Sequence, residues 1–182
     1  MKLLQKLKQK LSRETSTEEL VRRGMRVGRG FSRQPGVILD PSFAHLITIG
    51  DDVTIAPRAH VLCHDASTKR ALNLTKIGTV EIGSRVFIGA GAILLPGVKI
   101  GDDSIVGAGA VVTKSIPAGS VAVGTPAKVV MKTEDFLAKE TQRAKNAPHF
   151  GEEYRFKNHT PLPKDLQEQQ RQALKNTIGY TL

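Results

Sequence analysis

Ile82-Gly83-Ser84-Arg85-Val86-Phe87 is followed by Ile88-Gly89-Ala90-Gly91-Ala92-Ile93 and by Leu94-Leu95-Pro96-Gly97-Val98-Lys99. The phase continues through Ile100-Gly101-Asp102-Asp103-Ser104-Ile105, Val106-Gly107-Ala108-Gly109-Ala110-Val111 and Val112-Thr113-Lys114-Ser115-Ile116-Pro117. The first position of every unit is Ile, Leu or Val, and the second is Gly in four of the six. A six-residue period does not keep one side of a 3.6-residue helix apolar, so these units are not helical. Short strands separated by tight corners fit, and hexapeptide periods mark a parallel β-helix. Each coil then sends an aliphatic side chain inward, onto its equivalents above and below. Glycine is expected to supply the backbone freedom that a sharp corner needs. A Gly/Val-rich antiparallel sheet is the plain alternative, but it would not hold one phase through six units.

Working outward, Ile49-Gly50-Asp51-Asp52-Val53-Thr54 and Ile55-Ala56-Pro57-Arg58-Ala59-His60 carry the same period, and Val61 opens another unit. From Val61 to Ile82 the spacing exceeds a multiple of six by three residues, so an excursion leaves the coil there. The polar, aperiodic stretch Asp65–Lys76 (DASTKRALNLTK) is that loop, within the span 65–80. Insertions in repeat proteins usually map to a binding face. Upstream, Val27–Ser32 and Ile38–Phe43 read as degenerate first coils. The organisation expected is a basic N-terminal helical segment over 1–35, a β-helix over 36–132 and a C-terminal helical extension over 133–182. Helices are expected near Glu134–Lys145 and Lys164–Asn176, split by Pro148, Pro161 and Pro163. Solenoid ends need polar covers, which these helices can supply.

The chain has 182 residues and a net charge of +10. Residues 1–33 carry ten Lys/Arg against three Glu, so most of the excess is N-terminal. Leu3, Leu4, Leu7 and Leu11 give that segment an amphipathic helical pattern. It reads either as a capping helix with a solvated basic face or as a peripheral contact for an anionic membrane surface. Eight aromatic residues and no recognition motif argue against nucleic acid. No signal peptide is expected, because no apolar run follows the basic N-terminus. No stretch approaches the ~20 apolar residues of a membrane span. A single cysteine, Cys63, rules out an internal disulfide and fits a cytoplasmic protein.

The repeat, the runs Pro96–Gly101 and Gly107–Lys114, and Gly124-Thr125-Pro126-Ala127-Lys128 together resemble the hexapeptide acyltransferases. The resemblance implies a mainly β fold, a left-handed parallel β-helix, capped by N- and C-terminal helices. Left-handed coils depart from the usual crossover rule, so the handedness rests on the resemblance alone. Leu62-Cys63-His64-Asp65, just before the loop, resembles the maltose, galactoside and polysaccharide O-acetyltransferase branch. There a His at this place is the general base, which implies acetyl-CoA as donor, a saccharide hydroxyl as acceptor and a homotrimer. The longer N-terminal helical region of the maltose enzymes is not evident, and Phe87 stands where a tryptophan is usual.

Acetyl transfer to a hydroxyl needs a base, donors for the developing oxyanion, and alignment of the two substrates. Imidazole can serve as the base near neutral pH. By resemblance, His64 is catalytic. Phe87, Ala90, Ala108, Thr113, Lys114 and Lys128 line the acetyl-CoA groove, with a backbone N–H near Ala90 as oxyanion donor. His45 and Asp65 are acceptor-side candidates. Asp65 can equally anchor its loop, and His45 can equally be an interface residue. His60, last in its hexapeptide, reads as a corner residue. No metal is expected. Zinc held by three histidines, as in the γ-class carbonic anhydrases, needs ligands on successive coils, and no histidine lies between Asp65 and Pro148. The same scaffold also serves serine and amino-sugar acyltransferases and non-enzymatic modules. The serine enzymes carry a large helical N-terminal domain that about 35 residues cannot supply.

Overall fold

The computed structural model describes residues 14–154 and 161–181. The leucine stripe of Leu3–Leu11 lies outside them. Helix α1 (Thr17–Arg22) starts at Ser16, whose hydroxyl accepts the Glu19 N–H. Its one buried residue, Leu20, joins the core together with Met25.

The chain then winds through three faces per coil. The first coil is β1 (Arg26–Val27), β2 (Ser32–Arg33) and β3 (Ile38–Leu39). A 3-10 turn over Ala44–Leu46 leads to the second coil: β4 (Ile47–Ile49), β5 (Thr54–Ile55) and β6 (His60–Val61). An excursion follows, made of β7 (His64–Asp65), helix α2 (Lys69–Leu72) and β8 (Lys76–Ile77). The coil resumes as β9 (Val80–Ile82), β10 (Phe87–Ile88) and β11 (Ile93–Leu94), then β12 (Lys99–Ile100), β13 (Ile105–Val106) and β14 (Val111–Val112). Strand β15 (Ser120–Val123) adds to the second face, and β16 (Lys128–Lys132) turns back antiparallel onto it. Every pairing between coils is parallel, with matched positions in register. This is the parallel β-helix that the period implies, with the left hand that the resemblance implies.

Register decides what is buried. Leu39, Val61, Leu94 and Val112 stack inward on one face. Ile55, Ile88, Val106 and Ala122 do so on another, and Ile49, Ile82 and Ile100 on the third. Burying a side chain of this size contributes about 1.5–3 kcal/mol. The fifth positions of the hexapeptides are buried too, including Val86, Ala92, Val98 and Ala110. Arg33 takes the inward register of the first coil. Its Nη1 donates to Thr15 O (2.7 Å) and its Nη2 to Val37 O (2.6 Å).

The glycines divide between two roles, and only those at the corners supply the backbone freedom expected. At the second position of the hexapeptide the backbone does not need positive φ. What it needs is room: a Cβ on Gly89 would meet Ala108 N at 2.4 Å, and one on Gly101 would meet Ala118 N at 2.3 Å. The left-handed corner falls two residues later, on Arg85, Gly91, Gly97, Asp103 and Gly109, all with φ between +57° and +88°.

The C-terminal unit, Glu134–Leu182, is compact by itself. Helix α3 runs over Thr133–Lys145, and β17 (His149–Phe150) pairs in parallel with β18 (Tyr180–Thr181). Between those strands lie a 3-10 turn, Glu152–Tyr154, and helix α4 (Lys164–Ala173), which ends before the Asn176 of the sequence reading.

Candidate active site

The excursion after Val61 opens one corner of the prism. Leu62 still follows the coil, its N–H donating to Leu94 O (3.0 Å). Cys63 is fully buried, and its carbonyl accepts the Gly78 N–H (3.0 Å), closing the neck of the loop. His64 and Asp65 pair antiparallel with Ile77 and Lys76. His64 therefore stands at the base of the loop, on rigid backbone, with 37% of its side chain exposed.

A buried carboxylate holds that imidazole. Asp40 is 1% exposed, and its Oδ2 lies 2.5 Å from His64 Nδ1. The same oxygen accepts the Cys63 N–H (3.0 Å), while Oδ1 accepts the N–H groups of Ser42 (3.1 Å) and Phe43 (3.3 Å). Among the described residues the other partners of Asp40 are N–H donors, so it acts as an acceptor at Nδ1. The hydrogen there belongs to the imidazole, and whenever the ring is neutral its lone pair is on Nε2. The Phe43 ring flanks His64 with centroids 5.3 Å apart.

The neighbours of His64 have other roles. Burial first, and the Asp40 carboxylate second, push the Cys63 thiol up to about 12, so it is no nucleophile at neutral pH. Asp65 is engaged by its own loop. Its Oδ1 accepts the Ser67 N–H (2.9 Å) and its Oδ2 meets Lys76 Nζ (3.0 Å). The Ser67 backbone foremost, then the Ser67 side chain and Lys76, hold this carboxyl down at about 2.

The structure brings together some of the remaining candidates and separates others. Thr113 and Lys114 lie on the same corner as His64, one turn beyond Leu95, whose N–H donates to Val112 O. Ala90 and Ala108 stack on a different corner, joined by Gly109 N–H to Ala90 O (2.8 Å). Both alanines are exposed, and a Cβ on Gly91 or Gly109 would meet nothing within 4 Å, so this edge is smooth and open. The Ala90 N–H makes no hydrogen bond among the described residues. Thr125 continues the edge, its hydroxyl donating to Gly109 O (3.4 Å), and Lys128 follows on β16. Phe87 points outward from β10, 44% exposed. His45 sits in the 3-10 turn, its ring 6.3 Å from that of Phe43. His60 is a strand residue, not a corner residue: it faces outward between Ile38 and Ile93. Among the described residues no group of three or more His, Cys, Asp or Glu could hold a metal ion.

Residues 79–114 match the model described as bacterial transferase hexapeptide (six repeats). The fold is similar to that of a maltose O-acetyltransferase from Clostridium difficile 630, at 28% identity and a TM-score of 0.52 over 68% of this chain and 81% of that one. Residues 79–114 thus carry the transferase hexapeptide repeat, and the solved structures that the fold resembles are hexapeptide-repeat acetyltransferases. A hexapeptide-repeat-containing acetyltransferase from Vibrio cholerae O1 biovar eltor, complexed with acetyl-coenzyme A, is similar at 28% identity and a TM-score of 0.55. That likeness covers 60% of this chain and 61% of that one. A polySia-specific acetyltransferase, NeuO, matches at 25% identity and a TM-score of 0.50, over 58% of this chain and 50% of that one. No curated protein matches the sequence.

Two residues of the candidate site, Asp40 and Phe43, escape a reading of the sequence. The signal for Asp40 is a matter of register. Ile38 and Leu39 pair with His60 and Val61, which sets Asp40 beside Leu62, two residues from His64. An acid in that place follows an apolar run, Val37-Ile38-Leu39, and precedes Pro41. Phe43 carries no such signal; only the 3-10 turn swings its ring to His64.

Proposed function

We propose that this acyltransferase moves an acetyl group from acetyl-CoA to a hydroxyl of a saccharide, with His64 as general base. The observation that carries the reading is the Asp40–His64 pair at an open corner. Asp40 fixes the ring through Nδ1, so Nε2 faces outward as the acceptor of a proton. His64 Nε2 takes the proton of the acceptor hydroxyl as that oxygen bonds to the acetyl carbon. The carbon–sulfur bond then breaks, and the imidazolium returns the proton to the departing thiolate. Such a base contributes on the order of a hundredfold or more. The unbonded Ala90 N–H is suited to receive the developing oxyanion, a contact of the kind worth several kcal/mol in acyl transfer (about 2.7–4).

The exposed Ala90–Ala108 edge fits a pantetheine arm, since small side chains let it lie against the backbone. Lys114 and Lys128 offer cations to phosphates. In one copy of the chain His64, Thr113 and Lys114 stand on one corner, and Ala90, Ala108 and Lys128 gather on another. A donor that meets both sets needs a second copy. A homotrimer supplies it, and it covers the mostly apolar outward rows Ile38–His60–Ile93–Val111 and Thr54–Phe87–Ile105. A saccharide acceptor is supported by the printed activities of the maltose- and polySia-directed neighbours. Use of acetyl-CoA and a lone buried thiol suit a cytoplasmic enzyme.

The test is thiol release from acetyl-CoA across a panel of mono- and oligosaccharides, nucleotide-sugars and amino acids. Transfer to a saccharide that disappears in His64→Ala supports the reading. Transfer confined to an amino acid or an amine overturns the saccharide assignment.

A further inference from the structure

We infer that the saccharide acceptor carries an anionic group, a carboxylate or a phosphate, which Arg23 receives beside His64. The inference rests on the O-acetyl transfer reading above and names its substrate class.

Arg23 ends α1 and is bound to the segment that builds the site. Its Nη1 donates to Pro41 O (3.2 Å), the carbonyl next to Asp40, and its Nε donates to Glu19 Oε1 (2.9 Å). Its Nη2 makes no hydrogen bond among the described residues, and 48% of the side chain is exposed. The following Gly24 packs against the 3-10 turn so closely that a Cβ would meet His45 Cβ at 2.8 Å. Arg23 is thus locked to the stretch Asp40–His45, whose Phe43 ring flanks His64. The arc from Arg23 past Phe43 to His64 joins a cation with spare donors, an aromatic face and a base.

Charge balance around this arc favours an anion. Glu19 serves both Arg22 and Arg23, so one carboxylate faces two guanidinium groups. Asp40 is buried against His64, and Asp65 is tied to Lys76. Glu19 and Asp65 are each offset by a cation, and the Asp40 charge is held by three backbone N–H groups behind the His64 ring. Among residues 14–33, the described part of the segment that contains Arg23, five arginines stand against three glutamates. A field of that sign raises the local concentration of an anionic substrate. A neutral sugar would use the Phe43 face alone; an acidic one uses the face and the guanidinium. A charge-assisted hydrogen bond of this kind is worth roughly tenfold or more in apparent affinity.

The experiment measures kcat/KM for acetyl-CoA-dependent transfer to three acceptors: a neutral hexose oligosaccharide, a hexuronate oligosaccharide and a hexose phosphate. It is run on the full chain and on Arg23→Gln and Arg23→Lys. The expected result is an anionic-to-neutral preference of about tenfold or more. The preference should reside in KM, shrink with added salt, collapse towards one in Arg23→Gln and return in part in Arg23→Lys. Preference for hexuronate alone marks the anion as a carboxylate, and for the hexose phosphate alone as a phosphate; either supports the inference. Equal kcat/KM for neutral and anionic acceptors, with transfer still lost in His64→Ala, overturns the acidic acceptor and leaves O-acetyl transfer standing. A preference that persists in Arg23→Gln overturns the role of Arg23. Thiol release with none of the three overturns the saccharide reading and this inference with it.

Discussion

His64 Nδ1 and Asp40 Oδ2 lie 2.5 Å apart, although 24 residues separate them along the chain. Asp40 belongs to the first coil and His64 to the end of the second, so coil stacking makes the contact. The pair defines a direction, because with Nδ1 held on the buried side Nε2 faces the open one. Replacing His64 by Ala should lower turnover by on the order of a hundredfold or more. The affinity for acetyl-CoA should change little, since docking does not require the base. Steady-state kinetics beside equilibrium titration of acetyl-CoA separate the two effects. Turnover close to that of the unaltered chain would remove His64 from the mechanism.

Asp40→Asn keeps the volume but removes one acceptor oxygen. The amide cannot receive N–H groups at both of its ends, so His64 loses its fixed tautomer or the Cys63, Ser42 and Phe43 N–H groups lose a partner. Turnover should fall about tenfold, through kcat more than KM, because orientation and not docking is lost. A purely structural role would instead appear as a lower melting temperature with kcat preserved. Melting curves and kcat on the same preparation distinguish the outcomes.

Two glycines of one hexapeptide should respond in opposite proportion to their φ angles. Gly91, at φ +67°, has open space where a Cβ would stand, so Gly91→Ala meets only the left-handed strain, about 1 kcal/mol. Gly89 has no positive φ, but its added Cβ would strike the Ala108 backbone at 2.4 Å. Backbone there cannot move aside cheaply, and Gly89→Ala should cost about 3 kcal/mol. Denaturant titration of the two variants gives the order directly. The reverse order would show that the Ala108 backbone does not press on Gly89.

The loop should keep its anchor far into acid. Asp65 is held down at about 2, so its contribution to order is fully present above the unfolded carboxylate value, near 4. It is lost only as pH falls from there through about 2. Tryptic cleavage at Lys69 or Arg70, on exposed α2, reports on this at neutral pH: Asp65→Asn should be cut faster than the unaltered chain. Amide exchange of the loop should be equally protected from pH 5 to pH 7 once corrected for intrinsic rates. Equal cleavage of both proteins would mean that the Lys76 contact does not hold the loop.

The phosphate-binding role given to Lys114 and Lys128 can be read in salt. Removing both charges should weaken acetyl-CoA severalfold, and the remaining affinity should depend less on ionic strength. The two lysines share a donor only if copies associate, so light scattering at micromolar concentration should report a trimer. A stable monomer that still bound acetyl-CoA through both lysines would contradict the shared site.

What the sequence by itself determined was the coil. A six-residue period is a local property, since each unit repeats the same inward aliphatic positions, and stacking them is the one arrangement that buries every unit. The same logic made the break between Val61 and Ile82 legible as an excursion, and placed His64 at its neck. The tertiary structure decided what depends on contact between coils. Asp40 sits in a degenerate unit, and only the pairing of Leu39 with Val61 brings its carboxylate under His64. The second-position glycines look like corner residues in the sequence, yet they are required because the next coil leaves no space for a Cβ. Asp65 is free to serve the acceptor or the loop until Lys76 comes back across β7 and claims it. Arg23 is one basic residue among ten in its segment until Gly24 closes on His45. A period records what each unit does alone, whereas the site is made where unlike units touch, and only the folded chain contains those contacts.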